Sequence, residues 1–130
     1  VQQQLIGLET EHSRIFSKGS MGVQYTEQEI RDFAPARQPL VRVHPRTGRK
    51  SLFLSSHAGR IIGWPVPEAL MMLKDLSEHA TQREFVYSHQ WRVGDLVMWD
   101  NRCAVHARTD FSAAERRLMR RSVVLGEKPY

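Results

Sequence analysis

Short apolar segments separated by turn residues are the feature that most constrains the fold of this chain. From residue 40, "LVRVH" alternates apolar and polar residues, "PRTG" supplies a turn, and residues 51–55 resume the alternation, which predicts a β-hairpin. Four further segments have the composition of strands, at residues 85–89, 96–100, 103–108 and 117–125. Because many short strands joined by turns favour a sandwich or barrel, we expect a mainly β fold with helices (α+β) and a core of β-sandwich or jelly-roll type.

Helices are predicted in three places. Residues 1–18 carry spaced apolar side chains and precede Gly19, which is typical of a weakly amphipathic helix. The capping box "TEQE" at 26–29 predicts a second helix through Phe33, and the prolines at 35 and 39 then indicate a linker. A third helix is predicted over residues 67–80, where proline suits the first turn and leucines follow at helical spacing. The chain thus divides into a helical segment and linker, 1–39, and a β-rich part, 40–130, that contains the third helix.

The composition indicates the class of protein and its surroundings. Apolar residues make up 41% of the 130 residues, which is enough for a packed core, and no apolar run reaches the roughly 18–20 residues that cross a bilayer. The N-terminus lacks a signal-peptide pattern, and the single cysteine, Cys103, allows no internal disulfide, so we expect a cytoplasmic protein. The chain begins at Val1 without an initiator methionine, which indicates a processed or truncated chain.

The net charge of +5 comes mainly from arginine, since four of the 19 basic residues are lysine. Arginine favours forked hydrogen bonds to carboxylate or phosphate groups. The charge therefore indicates an anionic partner, and both nucleic acid and a small acid remain open at this point.

The segment "DNRCAVHARTDFSAAERRLMRRSVVLGEKP" contains a single histidine, His106, in a predicted strand, and two arginine pairs, 116–117 and 120–121, on or beside the last predicted strand. Side chains alternate between the two faces of a strand, so His106 and Cys103 point in opposite directions, which argues against a Cys–His metal pair. The same alternation puts Arg117 and Arg121 on one face of the last strand. Permanent cations on a core strand are costly to bury unless each meets an anionic group. A neutral imidazole nearby would suit a divalent metal.

From about His12 to its end, the chain resembles the C-terminal half of the taurine dioxygenase / 2,4-dichlorophenoxyacetate dioxygenase family. The resemblance rests on the stretches "HPRTGRKSLFLSSHAG", "EHATQREFVYSHQWRVGDLVMWDNR" and "RRLMRRSVVLGEKP". The most specific combination is "WDNR", a following histidine, and an arginine eleven residues beyond that histidine. The resemblance implies an oxygenase that depends on Fe(II) and 2-oxoglutarate. It also implies part of a double-stranded β-helix (jelly roll), incomplete in this chain.

The resemblance further implies roles for particular residues. His106 would be the distal iron ligand, and Arg117 would pair with the far carboxylate of 2-oxoglutarate. Arg121 would hold the acidic group of the substrate, and His57 would be a further substrate contact. The implied reaction uses dioxygen, decarboxylates 2-oxoglutarate to succinate, and hydroxylates a small organic acid of aryloxyacetate or taurine type. If the hydroxylated carbon bears an ether oxygen, the hemiacetal collapses and the ether is cleaved.

The sequence departs from that family in its metal ligands. No histidine is followed two residues later by Asp or Glu, so the His-x-Asp pair that supplies two of the three iron ligands is absent. We therefore expect the C-terminal portion of a longer enzyme, inactive by itself, with a small anionic substrate and dioxygen as partners. Neither nucleic acid nor a membrane is an expected partner, and a homo-oligomer is compatible with this interpretation.

A non-catalytic interpretation competes with the enzyme. Judged from the residues alone, an isolated histidine in a strand is more often a core or surface residue than a metal ligand. Paired arginines would then favour a basic β-sandwich module that binds anions or nucleic acid. The scattered basic residues and the lack of an aromatic-rich RNA-binding motif argue against nucleic acid. A phosphate-binding module loses affinity steeply as salt rises, and this behaviour separates the two hypotheses.

Overall fold

The computed structural model describes residues 2–114 and 116–125. Val1, Glu115 and residues 126–130, which include the end of the stretch "RRLMRRSVVLGEKP", lie outside the described residues. In chain order the elements are α1 (Gln2–Leu5), β1 (Glu9–His12), α2 (Arg14–Gly19), α3 (Glu27–Asp32), β2 (Ala36–Pro39), β3 (Val41–Val43), β4 (Lys50–Leu52), β5 (Ala58–Ile61), α4 (Val66–Ala80) and a 3-10 turn (Arg83–Phe85). None of the helices in the described part has the length and apolar content needed to span a bilayer.

A three-stranded antiparallel sheet in the order β2, β1, β5 forms the centre of the fold. Strand β1 lies in the middle, where Thr10 pairs with Gln38 on one side and with Ile61 on the other. The register of β1 against β5 shifts between Glu11 and His12. An irregularity of this kind bends a strand locally and redirects the side chains beyond it.

Strands β3 and β4 form a separate antiparallel hairpin, in which Val41 pairs with Leu52. Leu40 connects this hairpin to the central sheet. Its backbone N–H donates to the carbonyl of Leu8 at 2.8 Å, and its own carbonyl accepts from the N–H of Phe53 at 2.7 Å. Because the Leu40 side chain is fully buried, the connection is both hydrogen-bonded and packed.

The hydrophobic core lies between α4 and strand β5, which are in contact. Helix α4 buries Ala69, Leu73 and Leu76, which recur at the spacing of one helical face. Strand β5 contributes Ile61, which is 1% exposed. The other buried apolar residues of the described chain are Leu5, Leu40, Leu54 and Ala58. The core therefore joins the N-terminal segment, the hairpin region and α4 into one packed unit.

The predicted helix over residues 1–18 is wrong, because strand β1 interrupts it. Gly7 ends the first helical segment with φ at +85°, a conformation that glycine adopts without steric cost. A new helix, α2, begins after Ser13, whose hydroxyl accepts a hydrogen bond from the N–H of Phe16 at 3.1 Å. The predicted linker at 35–39 is also wrong, since residues 36–39 form strand β2. Both strands form because they pair with each other, which local propensity does not reveal.

The predictions that rest on local signals are confirmed. The capping box is present at the start of α3, where Thr26 N donates to Glu29 Oε2 at 2.9 Å and Glu29 N donates to Thr26 Oγ1 at 3.3 Å. The hairpin turns where its sequence indicated, between β3 and β4. The inserted helix predicted over residues 67–80 is α4, which begins one residue earlier. Short-range signals were sufficient for these elements.

The four strands predicted after α4 are not observed, since the described residues from 86 to 125 form neither helix nor strand. A strand needs a neighbour for its backbone N–H and C=O groups, and among the described residues no strand pairs with this segment. The fold is therefore a mixture of helices and antiparallel sheets, and the jelly-roll core stays a prediction. Large apolar side chains of this segment that lie exposed include Val93, Leu96, Met98, Val124 and Leu125.

Replacement of Ile61 by alanine should destabilise the protein by about 2–5 kcal/mol, because the lost side chain leaves a cavity between β5 and α4. The free energy of unfolding in urea, followed by circular dichroism, measures this loss. The matched control is Ile30→Ala on α3, where the side chain is 51% exposed and the change should stay within about 0.5 kcal/mol. Equal losses in the two variants would contradict the placement of Ile61 in the core.

Candidate substrate and cofactor site

His57 lies immediately before strand β5, where helix α2 and the residue preceding it hold it. Its backbone carbonyl accepts a hydrogen bond from the N–H of Ser13 at 2.8 Å. Its ring nitrogen Nδ1 lies 2.6 Å from the hydroxyl of Ser17. The residue is exposed, so solvent reaches it. The predicted substrate contact is thus held by the N-terminal segment, and its role stays a prediction.

A series of hydrogen bonds that includes His12 leads to the backbone of His57. The two ring nitrogens of His12 lie 3.0 Å from Ser55 Oγ and 2.9 Å from Thr10 Oγ1. The Thr10 hydroxyl donates to the carbonyl of Gln38 at 3.2 Å, and Ser55 Oγ accepts from the N–H of His57 at 3.2 Å. This series of hydrogen bonds therefore connects strand β2, across β1, to the backbone of His57.

The electrostatics of this cluster favour a neutral His12. Burial lowers the pKa of His12, and the charge of Arg42 and a smaller contribution from His57 lower it further. The Arg42 guanidinium lies 3.6 Å from the centroid of the Phe53 ring and donates to the side-chain oxygen of Gln38. Burial also lowers the pKa of Arg42, whose Nε is buried without a hydrogen-bond partner among the described residues.

The "WDNR" motif is attached to the hairpin region through Asp100. Oδ2 of Asp100 lies 3.3 Å from Nε2 of His44, whose side chain is 15% exposed. The Arg102 side chain donates to both carboxylate oxygens at 2.7–3.0 Å. The hydrogen bonds from Arg102, and then that from His44, hold the pKa of Asp100 well below its usual range. Asp100 is therefore an ionised anchor for the segment that leads to His106.

His106, the predicted iron ligand, is exposed, and its ring centroid lies 4.8 Å from that of Trp99. Trp99 is held in turn, because its Nε1 donates to Asn101 Oδ1 at 2.7 Å. Since residues 103–108 are not a strand, the alternation that separated Cys103 from His106 does not apply to the observed backbone. The imidazole is thus accessible and packs beside the "WDNR" motif.

Arg117 and Arg121 are both exposed in the described segment 116–125. The guanidinium of Arg117 lies 5.0 Å from the centroid of the Phe111 ring, and its Nε lies 2.9 Å from Met119 Sδ. Within the described part of the chain, no hydrogen bond, ion pair or ring contact joins either arginine to His106. The roles that the resemblance implies for the two arginines therefore stay predictions.

The residues that surround His57 were not predicted from the sequence. They lie in segments predicted as helix or hairpin, and of them only Ser55 falls within a family-like stretch, "HPRTGRKSLFLSSHAG". The one local signal was the spacing of Thr10 and His12, which a strand would place on one face. The missed residues are Thr10, His12, Ser17, Arg42 and Ser55.

The fit of the chain to iron can be judged from its donor groups. A non-haem iron site of the expected type needs two imidazoles and a carboxylate arranged together. No group of three or more His, Cys, Asp or Glu side chains that could hold a metal ion lies within residues 2–114 and 116–125. His106 accordingly offers one imidazole, and the described residues do not make a complete iron site.

Comparison with known proteins gives a consistent result. The chain matches the family model described as "Taurine catabolism dioxygenase TauD, TfdA family" over residues 1–123. It is 46% identical over 128 residues to the alpha-ketoglutarate-dependent 2,4-dichlorophenoxyacetate dioxygenase of Cupriavidus pinatubonensis, and the match covers 98% of this chain and 45% of that relative. It is 35% identical over 127 residues to the (S)-phenoxypropionate/alpha-ketoglutarate-dioxygenase of Sphingobium herbicidovorans, where the match covers 92% of this chain and 44% of that relative.

A solved structure supports the same relationship. The crystal structure of AAD-2 in complex with Mn(II) and N-oxalylglycine is similar with a TM-score of 0.75 and 53% sequence identity, over 78% of this chain and 41% of that chain. The chain therefore belongs to the TauD, TfdA family, and the resemblance noted from its motifs is confirmed. It spans less than half the length of the Cupriavidus and Sphingobium relatives.

The lowered pKa of His12 predicts a pH-dependent stability. In the unfolded chain His12 binds a proton near its ordinary pKa of about 6.5, whereas in the folded protein it stays neutral to lower pH. Between these two pKa values the unfolded state binds more protons, so the contribution of His12 to stability is complete above about pH 6.5 and is lost as the pH falls toward the folded pKa. The free energy of unfolding should fall between about pH 7.5 and about pH 5.5, and we expect this fall to be smaller in His12→Gln than in the unmodified protein.

The control for this measurement is His79→Gln, which replaces an exposed histidine on α4. The change in pH dependence that His12→Gln produces is compared with the change produced by this exposed-histidine variant. A pH dependence that is the same with and without His12 would contradict the partly buried, neutral state of its ring.

Proposed function

We propose that this chain is the C-terminal portion of an Fe(II)- and 2-oxoglutarate-dependent dioxygenase that hydroxylates a small organic acid. The reaction consumes dioxygen and converts 2-oxoglutarate to succinate and carbon dioxide. The observation that carries the proposal is the 46% identity to the Cupriavidus enzyme across 98% of this chain. Both curated relatives are named for phenoxy acids, which favours an aryloxyacetate-type acid over a taurine-like one.

In this proposal the iron is bound by residues from two parts of a longer polypeptide. His106 supplies the distal imidazole. The His-x-Asp pair lies outside this chain, because no histidine here is followed two residues later by Asp or Glu. Relatives that extend well beyond the matched region support this division. This chain by itself is then inactive.

The same proposal places residues 40–130 in the C-terminal part of a jelly-roll catalytic domain, with α4 as the inserted helix. Exposed apolar side chains between residues 86 and 125 support it. Pairing of this segment with strands from the rest of the polypeptide would remove apolar surface from water at about 25 cal/mol per Å². It would also satisfy the backbone groups of the segment. Residues 1–39 join the same unit through the pairing of β1 with β5.

Two arginines are assigned to the two anionic molecules. Arg117 pairs with the carboxylate of 2-oxoglutarate that is remote from iron, and Arg121 holds the acidic group of the substrate. A guanidinium keeps its charge and offers parallel N–H donors that match the two oxygens of a carboxylate. His57 is a further contact for the substrate. When bound, the iron supplies the oxygen activation, and the residues of this chain orient the acids around it.

Turnover of 2-oxoglutarate by the full-length protein tests the function. With Fe(II), ascorbate, dioxygen and 2,4-dichlorophenoxyacetate as the trial substrate, we expect succinate to accumulate in step with the product released from the acid. Phenoxyacetate and taurine serve as further trial acids. If none of these acids supports succinate formation, the proposed function is contradicted.

The proposed location of the enzyme is the cytoplasm, because a reducing compartment suits the single cysteine of this chain.

Replacement of His106 by alanine should abolish iron-dependent turnover, because one of three protein ligands is lost. Succinate formation and the iron retained after dialysis are measured together. The control is His89→Ala, which removes an imidazole that hydrogen-bonds with Asp95 and Tyr87 instead. Turnover that persists in His106→Ala would remove this residue from the metal site.

Arg117→Ala should raise the concentration of 2-oxoglutarate needed for half-maximal turnover at least tenfold, which corresponds to about 1.4 kcal/mol of binding. The physical reason is the loss of a forked pair of charge-assisted hydrogen bonds. The neighbouring Arg116→Ala is the control, since it removes the same charge from the same exposed segment. An unchanged requirement for 2-oxoglutarate in Arg117→Ala would reject the assigned role.

A further inference from the structure

Helix α2 packs closely against the start of strand β5, and the contact requires glycine at position 59. A Cβ atom built on Gly59 would lie 2.7 Å from the Phe16 ring, closer than real side chains approach. The backbone of Ser13, immediately before the helix, donates to the carbonyl of His57 at 2.8 Å. These two contacts fix the helix against the segment that carries His57.

The hydroxyl of Ser17 lies at the centre of this contact and is almost fully buried. A hydroxyl has one hydrogen to donate and two lone pairs to accept with. The Ser17 hydroxyl donates to the carbonyl of Arg14 at 3.1 Å, because a carbonyl can only accept. Its second partner is Nδ1 of His57 at 2.6 Å. Assignment of the single hydroxyl hydrogen to Arg14 makes Ser17 the acceptor toward His57, with the hydrogen of that bond on Nδ1.

We propose that Ser17 is a positioning residue that accepts a hydrogen bond from Nδ1–H of His57 and thereby leaves Nε2 as the nitrogen offered to an acidic substrate. The inference rests on the proposed substrate contact of His57. Because Ser17 accepts, the bond is kept whether or not Nε2 also carries a hydrogen. The ring therefore keeps one orientation when both nitrogens carry hydrogen, and this cationic form is the one that donates Nε2–H to an anionic group. A serine that donated to Nδ1 would keep its bond in the neutral ring with hydrogen on Nε2, but would lose it in the doubly protonated ring.

The hydrogen bonds behind His57 are consistent with this assignment. The Thr10 hydroxyl uses its hydrogen on Gln38, so it accepts from Nε2–H of His12. A neutral His12 then accepts from the Ser55 hydroxyl through Nδ1. Ser55 in turn accepts from the backbone N–H of His57. Each donor in this series of hydrogen bonds has one acceptor. Ser55 therefore holds the backbone of His57, and Ser17 holds its ring.

The state of the His57 ring tests the inference directly. In the metal-free, full-length protein with 15N-labelled histidine, we expect Nδ1 of His57 to resonate as a protonated, pyrrole-type nitrogen, both free and with 2,4-dichlorophenoxyacetate bound. Ser17→Ala should shift this resonance toward the pyridine type, since the acceptor that holds the hydrogen on Nδ1 is gone. A pyridine-type Nδ1 in the unmodified protein, or an unchanged resonance in Ser17→Ala, would overturn the proposal.

Kinetics separate positioning from a merely structural role. Ser17→Ala should raise KM for 2,4-dichlorophenoxyacetate about three- to tenfold and change kcat less than about twofold. Ser17→Thr keeps the hydroxyl and should restore KM. Ser20→Ala is the matched control, because it removes a hydroxyl at the end of the same helix that donates to the carbonyl of Ser17 and not to His57. Equal effects of Ser17→Ala and Ser20→Ala would show a general loosening of α2 and would reject the positioning role.

A final variant separates this inference from the proposed function. If the unmodified enzyme turns over 2-oxoglutarate but His57→Ala leaves KM for the acid unchanged, the inference is overturned and the function stands. If the unmodified enzyme forms no succinate with any trial acid, the function is overturned. The nitrogen resonances still decide whether Ser17 accepts from His57 in that case.

Discussion

The pairing of strand β1 with both of its neighbours is the interaction on which the rest of this structure depends. Thr10 lies fully buried at the middle of that strand, and a buried hydroxyl is tolerated only when its hydrogen bonds are satisfied. It meets this requirement by donating to Gln38 on β2 and accepting from His12 on its own strand. The other neighbour, β5, carries Ile61 into the core and so provides the surface on which α4 packs. Without β1, neither the helix nor the segment that holds His57 would have a support.

The elements that could be predicted from the sequence are those whose cause is local. A capping box, a proline in a first helical turn and a turn between two alternating segments each act within a few residues, and each produced the expected structure. Strands β1 and β2 were missed because "ETEH" and "ARQP" contain few residues that favour strands. They form because residues 28 positions apart pair, as Thr10 and Gln38 do. The segments predicted as strands after α4 show the opposite case, since favourable composition did not suffice where no described strand pairs with them.

The residues of the candidate site likewise fall into two groups, those identified from the sequence and those identified from the structure. The motif resemblance identified His106, Arg117 and Arg121. It implies what these residues do but not where they lie relative to one another. The residues around His57 were found from the structure alone, because Ser17 and His57 are 40 positions apart and meet through the packing of α2 on β5. A motif identifies residues whose chemistry is shared by a family, whereas the residues that orient them are determined by packing and leave weaker signals in a single sequence.

This division has a physical consequence for how the site would be assembled. His57 is held by contacts within the described part of the chain, from Ser13 and Ser17 and from the hydrogen bonds through His12. His106 and the two arginines lie in a segment whose apolar side chains are exposed and whose backbone lacks a paired strand among the described residues. Under the proposed function, their arrangement is completed only when that segment pairs with the part of the enzyme that carries the His-x-Asp ligands. Binding of iron and ordering of the arginines would then be coupled to the same pairing, since both need the segment fixed in one conformation. The His57 side of the site would be preformed, and the side that carries the iron ligand and the arginines would depend on assembly of the whole domain.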